Sequence, residues 1–121
     1  MLMTNQLTDR EADIMNVLWE RGPSTVAEVR SALKTPFAHT TVQTMLRILE
    51  TKGFAAHQEE GKQHRFRALV QESAARQSAL KHLVAKMFRG SSELLLTQLV
   101  SDQKLSAEQV RRMRRLLLNK E

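Results

Sequence analysis

A chain of 121 residues is sized for one compact domain, or for one with a small appendix for assembly. It has no cysteine, which excludes disulfides and thiolate metal sites, and no apolar run long enough for a membrane span or a signal segment, so a cytoplasmic protein is expected. Hydrophobic residues at 41% and charged residues at 26% suit an ordinary globular protein, and the net charge of +6 points to a polyanionic partner: nucleic acid, acidic protein or membrane surface.

Aromatic residues are scarce, so the core is expected from Leu, Val, Ile, Met and Ala, a composition that favours helices. Thr8-Asp9-Arg10-Glu11 reads as a capping box, with Ile14, Met15 and Leu18 on one face behind it. Gly22-Pro23 ends that helix, because Gly suits the closing turn and Pro cannot continue it. Thr25-Val26-Ala27-Glu28 is a second box, followed by Val29 and Leu33 at helical spacing until Pro36. Thr40-Thr41-Val42-Gln43 reads as a third box, opening a helix that runs to Gly53. Its apolar stripe is Val42, Met45, Leu46 and Leu49, and its opposite face is Thr40, Gln43, Thr44, Arg47 and Thr51. From Phe54 the period changes to two: residues 54–58 and 63–69 read as strands around a turn at Glu60-Gly61. Three helices and a hairpin, in that order, predict a mainly α fold: a winged helix-turn-helix with a two-stranded wing.

After residue 70 the pattern is helical throughout. One helix is expected from Gln71 to Phe88, with Leu80, Leu83, Val84, Met87 and Phe88 on one side. Gly90 stops it, and Ser91 or Ser92 caps a short helix in which Leu94, Leu95, Leu96, Leu99 and Val100 lie almost all round. Ser106-Ala107-Glu108-Gln109 is a further box, before a last helix carrying Val110, Met113, Leu116 and Leu117. A helix that is apolar all round needs cover on more than one side, and three short helices make a poor core alone. A homodimer is therefore expected, with residues 1–70 as the winged-helix domain and 71–121 as a helical dimerisation region. Its interface would draw on Leu80, Leu83, Val84, Met87, Phe88, Leu94, Leu95, Leu99, Val110, Met113 and Leu117.

Charge supports this division of labour. From Arg30 to Arg67 there are seven Lys or Arg against three Asp or Glu, so the third helix and wing are locally positive. A helix with this polar face suits the major groove, where Arg47 could pair with guanine and Gln43 with adenine. Thr40, Thr41 and Thr44 could bond phosphates or touch thymine methyls, while Lys52, Lys62, Arg65 and Arg67 would grip the backbone of double-stranded DNA.

These residues resemble the BlaI/MecI/CopY family of penicillinase-repressor type regulators. The matching stretches are Leu7-Thr8-x-x-Glu11, Ile14-Met15-x-x-Leu18-Trp19 and Gly22-Pro23-x-Thr25-Val26-x-Glu28-Val29. They continue through Thr40-Thr41-Val42-x-Thr44-Met45-Leu46, Leu49-x-x-Lys52-Gly53, the wing Glu60-Gly61-Lys62 and Phe88-x-Gly90-Ser91. The resemblance implies a homodimer on a dyad-symmetric operator, relieved in some members when a membrane-bound sensor protease answers β-lactams and the repressor is cleaved. The cleaved Asn-Phe bond of those members aligns with Gln98-Leu99 here, a departure. Family members often carry Arg directly before the last Leu of the recognition helix, where this chain has Ile48. Phe66 stands where the family usually has Tyr, and the absence of cysteine excludes the copper-responsive branch.

His57 and His64 flank the turn symmetrically and are expected to face each other as solvated wing residues, too few for a metal site. Arg111, Arg112, Arg114 and Arg115 read as a solvated basic face. No catalytic arrangement or phosphate loop emerges, so neither an enzyme nor a cofactor is expected. Two other readings stay open on sequence alone. One is a small-molecule-responsive regulator of the same architecture; the other is a protein-interaction module that does not bind DNA.

Overall fold

The computed structural model describes residues 6–120; residues 1–5 and 121, at the outer ends of the two expected regions, lie outside it. Thr8 opens α1 (Asp9–Arg21) as the capping box requires, its hydroxyl accepting from Glu11 N–H at 3.2 Å and the Glu11 carboxylate accepting from Thr8 N–H at 2.9 Å. Gly22 closes α1 at φ 84°, in a region that L side chains rarely adopt, while its N–H donates to Leu18 O. Ser24–Thr25 then forms a short strand, β1, and Thr25 and Glu28 make the same reciprocal box at the start of α2 (Val26–Ala32).

The next helix, α3 (His39–Thr51), begins earlier than the expected box at Thr40. Its N-cap is Ala38, with no side-chain cap hydrogen bond; Thr41 N–H and Val42 N–H both donate to Ala38 O. The loop before it is pinned from outside, since Arg30 Nε donates to Phe37 O at 2.7 Å and Arg10 lies 5.0 Å over the Phe37 ring. The helix starts as soon as that pinned residue is passed.

The wing is β2 (Ala55–Glu60) and β3 (Gln63–Ala68), antiparallel, with Ala55 opposite Ala68 and Glu60 opposite Gln63. The turn is therefore Gly61-Lys62 rather than Glu60-Gly61, with Gly61 at φ 63° in the first position of a two-residue loop. β1 adds a third strand, antiparallel to β3, so the sheet order is β1-β3-β2 and not a two-stranded hairpin alone. Ser24 and Thr25 are too few and too polar to show a strand period, which is why β1 escapes a pattern search.

The core is the meeting of these elements. Ile14, Met15, Val29, Val42, Leu46 and Leu49 are wholly buried, closed by Phe54, Ala55 and Phe66 from the wing. Trp19 Nε1 donates to Val70 O at 2.8 Å, tying α1 to the chain just beyond the sheet.

The chain divides into two compact units, Met1–Ala79 and Leu80–Glu121, a division that falls inside α4 (Glu72–Met87). Two helices complete the second unit: α5 (Ser92–Asp102), capped by Ser91, and α6 (Ala107–Leu118), opened by the Ser106/Gln109 box. Among the described residues, none after Phe66 is buried.

Candidate nucleic-acid interface

The outward face of α3 is built by exclusion. Burying Val42, Leu46 and Leu49 turns Thr40, Thr44 and Arg47 away from the core, and all three are exposed. Thr41 is exposed on one flank and Gln43 half-buried on the other. Because α3 is capped by a backbone group alone, the Thr40 and Thr41 hydroxyls are not drawn into a capping box. Arg47 has no ion pair among the described residues. This face can donate and accept hydrogen bonds in the plane of a base edge, which is what major-groove readout requires.

Helix and wing meet in a cleft of about 260 Å³ lined by His39 and Gln43 of α3, Lys62, Gln63 and His64 of the wing, and Val26 and Ala27 of α2. The structure thus brings Gln43 and Lys62 together. His39 was missed by the sequence reading; it lies one turn before Gln43, and only a helix that starts at His39 puts it on that face. Arg67 is exposed but lies elsewhere, beside Leu18, Trp19, Gly22 and Pro23.

Two cations expected on DNA phosphate, Lys52 and Arg65, have ion-pair partners within the domain. Lys52 Nζ sits 2.7 Å from Glu11 Oε1 and 3.1 Å from Gln6 O, with side-chain exposures of 17% for Lys52 and 7% for Glu11. Burial works against ionisation of Glu11, but hydrogen bonds from Lys52 and the Thr8 amide outweigh it and hold the carboxyl below the usual range. Lys52 is therefore a strut between the end of α3 and the start of α1, its ammonium bonded to both Glu11 and Gln6 O.

Arg65 is likewise paired within the domain. It stands in the central strand β3, where Nε and Nη2 bond both oxygens of Glu60 at 2.9 and 2.8 Å. Nη1 reaches Glu28 Oε1 at 3.0 Å and Pro23 O at 3.2 Å. The paired Glu60 carboxylate raises the Arg65 pKa, and Arg65 in turn lowers that of Glu60. Glu28 is lowered first by the Thr25 amide and then by Arg65. A guanidinium forked this way ties the wing to the N-terminus of α2.

His57 and His64 do face each other across the wing, though not as register partners. His57 pairs with Phe66 and His64 with Glu59, so the imidazoles meet on the diagonal, stacked with centroids 4.3 Å apart. His57 Nδ1 lies 2.8 Å from Glu50. No group of three or more metal-ligating side chains occurs among the described residues.

In the second unit, apolar side chains stand uncovered. Leu80, Leu83, Met87, Leu94, Leu99, Val110 and Leu117 are all at least two-fifths exposed, while Val84, Phe88, Leu95 and Met113 are half-buried. An apolar cleft of about 510 Å³ runs along α6, lined by Leu105, Met113 and Leu116 with Gln109, Arg112, Arg115 and Asn119. Arg111, Arg112, Arg114 and Arg115 are all exposed, as a solvated basic face requires, and Arg112 pairs with Glu108 one turn away on that surface. Gln98 and Leu99 lie inside α5, where Gln98 bonds Asp102. No helix among the described residues is long and apolar enough to cross a membrane.

Comparison with known proteins meets this geometry. The penicillinase repressor family model matches residues 7–119. The methicillin resistance regulatory protein MecI of Staphylococcus aureus is 22% identical over 119 residues, 97% of each chain. The penicillinase repressor of Bacillus licheniformis is 24% identical over 114 residues, 93% of this chain and 89% of that one. Among solved structures, a MarR family protein from Bacillus stearothermophilus aligns with a TM-score of 0.52 and 22% identity, covering 92% of this chain and 70% of that one, a likeness of fold. With a helix-turn-helix, a wing and a match over nearly its whole length, the chain belongs to the penicillinase repressor family, which comprises winged-helix transcriptional repressors and not enzymes.

Proposed function

We propose that the protein acts in the cytoplasm as a homodimer that binds a dyad-symmetric DNA operator and blocks transcription. The observation that carries this reading is the outward face of α3, where exposed Thr40, Thr44 and Arg47 sit beside a cleft joining Gln43 to wing Lys62. Arg47 and Gln43 read bases, supported by Thr40, Thr41 and Thr44. Lys62 holds phosphate in the cleft and Arg67 at an outer flank, whereas Lys52 and Arg65 shape the domain and leave the phosphate set. The winged helix supplies DNA contact, and the uncovered apolar surface of α4, α5 and α6 supplies the dimer, in agreement with leucines that one chain leaves exposed.

Relief of repression by a membrane-bound sensor protease, and with it a role in β-lactam resistance, follows from the family alone. Cleavage at Gln98-Leu99 requires α5 to unwind first, since a protease needs extended backbone and this bond is in mid-helix. Selection of bound duplexes from a random pool with the full chain tests the central reading. An enriched inverted repeat with two protein chains per duplex is the expected result; no enrichment leaves the interaction-module reading in its place.

A further inference from the structure

One residue on the outward surface of α3 has no partner in the chemistry assigned so far. Ile48 is 42% exposed, although every other branched apolar side chain of this helix, Val42, Leu46 and Leu49, is wholly buried. It follows Thr44 by one turn and Thr41 by two, so the three form a ridge beside the one that carries Arg47. Isoleucine here is not a filler of the domain core, and beta-branching makes it a moderate helix former at an exposed position, where Ala or Lys would do better. Its neighbours Thr41, Thr44, Arg47 and Thr51 are all exposed and polar, so it is a single apolar contact point amid hydrogen-bonding groups. A patch that small does not suit a protein partner, which needs a broad apolar centre. It does match the one apolar group on the major-groove floor, the C5-methyl of thymine.

We propose that Ile48 reads a thymine methyl in each operator half-site and so is a specificity-determining residue. The inference rests on the operator-binding reading above. Arg47 and Gln43 distinguish bases by hydrogen bonds, and Ile48 adds discrimination between thymine and a pyrimidine without the methyl. The side chain is stiff about χ1, so it presents a fixed methyl surface to the groove and loses little freedom on contact.

The test pairs one side-chain change with one methyl change. The full chain and its Ile48→Ala variant are titrated against the duplex enriched from the random pool and against the same duplex with deoxyuridine replacing thymine, position by position. At one symmetric pair of positions the wild type weakens by about fourfold per half-site, the effect of returning one methyl group to water. Ile48→Ala is weaker on the thymine duplex and indifferent to deoxyuridine there, while its melting temperature stays level or rises, as Ala in an exposed helix site allows. Equal deoxyuridine sensitivity of both proteins at every position overturns the proposal and leaves operator binding intact. A clear fall in melting temperature in Ile48→Ala also overturns it, by placing the side chain in the packing of its own chain. If the wild type enriches no duplex, the operator reading itself fails and takes this inference with it.

Discussion

Arg47 and Lys52 carry the same charge on the same stretch of chain, and their surroundings give them opposite work. Arg47 is exposed and carries no ion pair among the described residues, whereas Lys52 is held by Glu11 and by Gln6 O. Alanine at Arg47 is expected to leave unfolding unchanged and to weaken operator binding by about 1–3 kcal/mol, measured by titration, with less loss on random duplex. Methionine at Lys52 leaves the Glu11 carboxylate buried without its ammonium, and denaturant unfolding is expected to show a loss of about 2 kcal/mol. Glu11 also makes a pH prediction. Its folded pKa lies below the ordinary 4.5, so its stabilisation is complete above that value and is lost as pH falls through the lowered one. Unfolding free energy should be level down to about pH 5 and then fall, and Glu11→Gln should flatten that acid limb. The sequence shows which residues are cations; it does not show which carboxylate each one meets, because Glu11 and Lys52 are brought together only by the packing of α1 on α3.

At the scale of elements, local signals were legible wherever the chemistry is local. Thr8, Thr25, Ser91 and Ser106 cap the helices that their spacing announces, and Gly22 ends α1. The box at Thr40 did not form, because Arg30 and Arg10 fix Phe37 from other helices and α3 starts just after it. The wing turn lies one residue later than the Glu60-Gly61 pattern suggests for a similar reason: its register is settled by Phe66 entering the core opposite His57, not by the glycine alone. Wing cations separate in the same way. Lys62→Ala should lower the slope of log affinity against log salt by about 0.9, the loss of one phosphate contact. Glu28→Gln with Glu60→Gln should weaken operator binding although it removes negative charge and frees Arg65, because the wing loses its tie to α2. Tighter binding of that double variant would return Arg65 to the phosphate set.

The whole molecule is a buried domain joined to a helical unit with no buried residue among those described. Periodicity announced this imbalance in advance: Leu94, Leu95, Leu96 and Leu99 ring α5, and a single chain leaves Leu94 and Leu99 exposed. Leu83→Glu with Leu117→Glu should leave the winged helix folded and shift the sedimentation of the full chain from dimer to monomer; an unchanged dimer would move the interface off these faces. The central claim, a repressor that reads one sequence through α3 and holds it through the wing, is tested most directly by salt titration on the selected duplex and on a shuffled duplex of equal length. The account predicts affinity that falls steeply with salt on both, with the selected duplex at least about a thousandfold tighter at physiological salt. Equal affinity for the two duplexes at every salt concentration would contradict it.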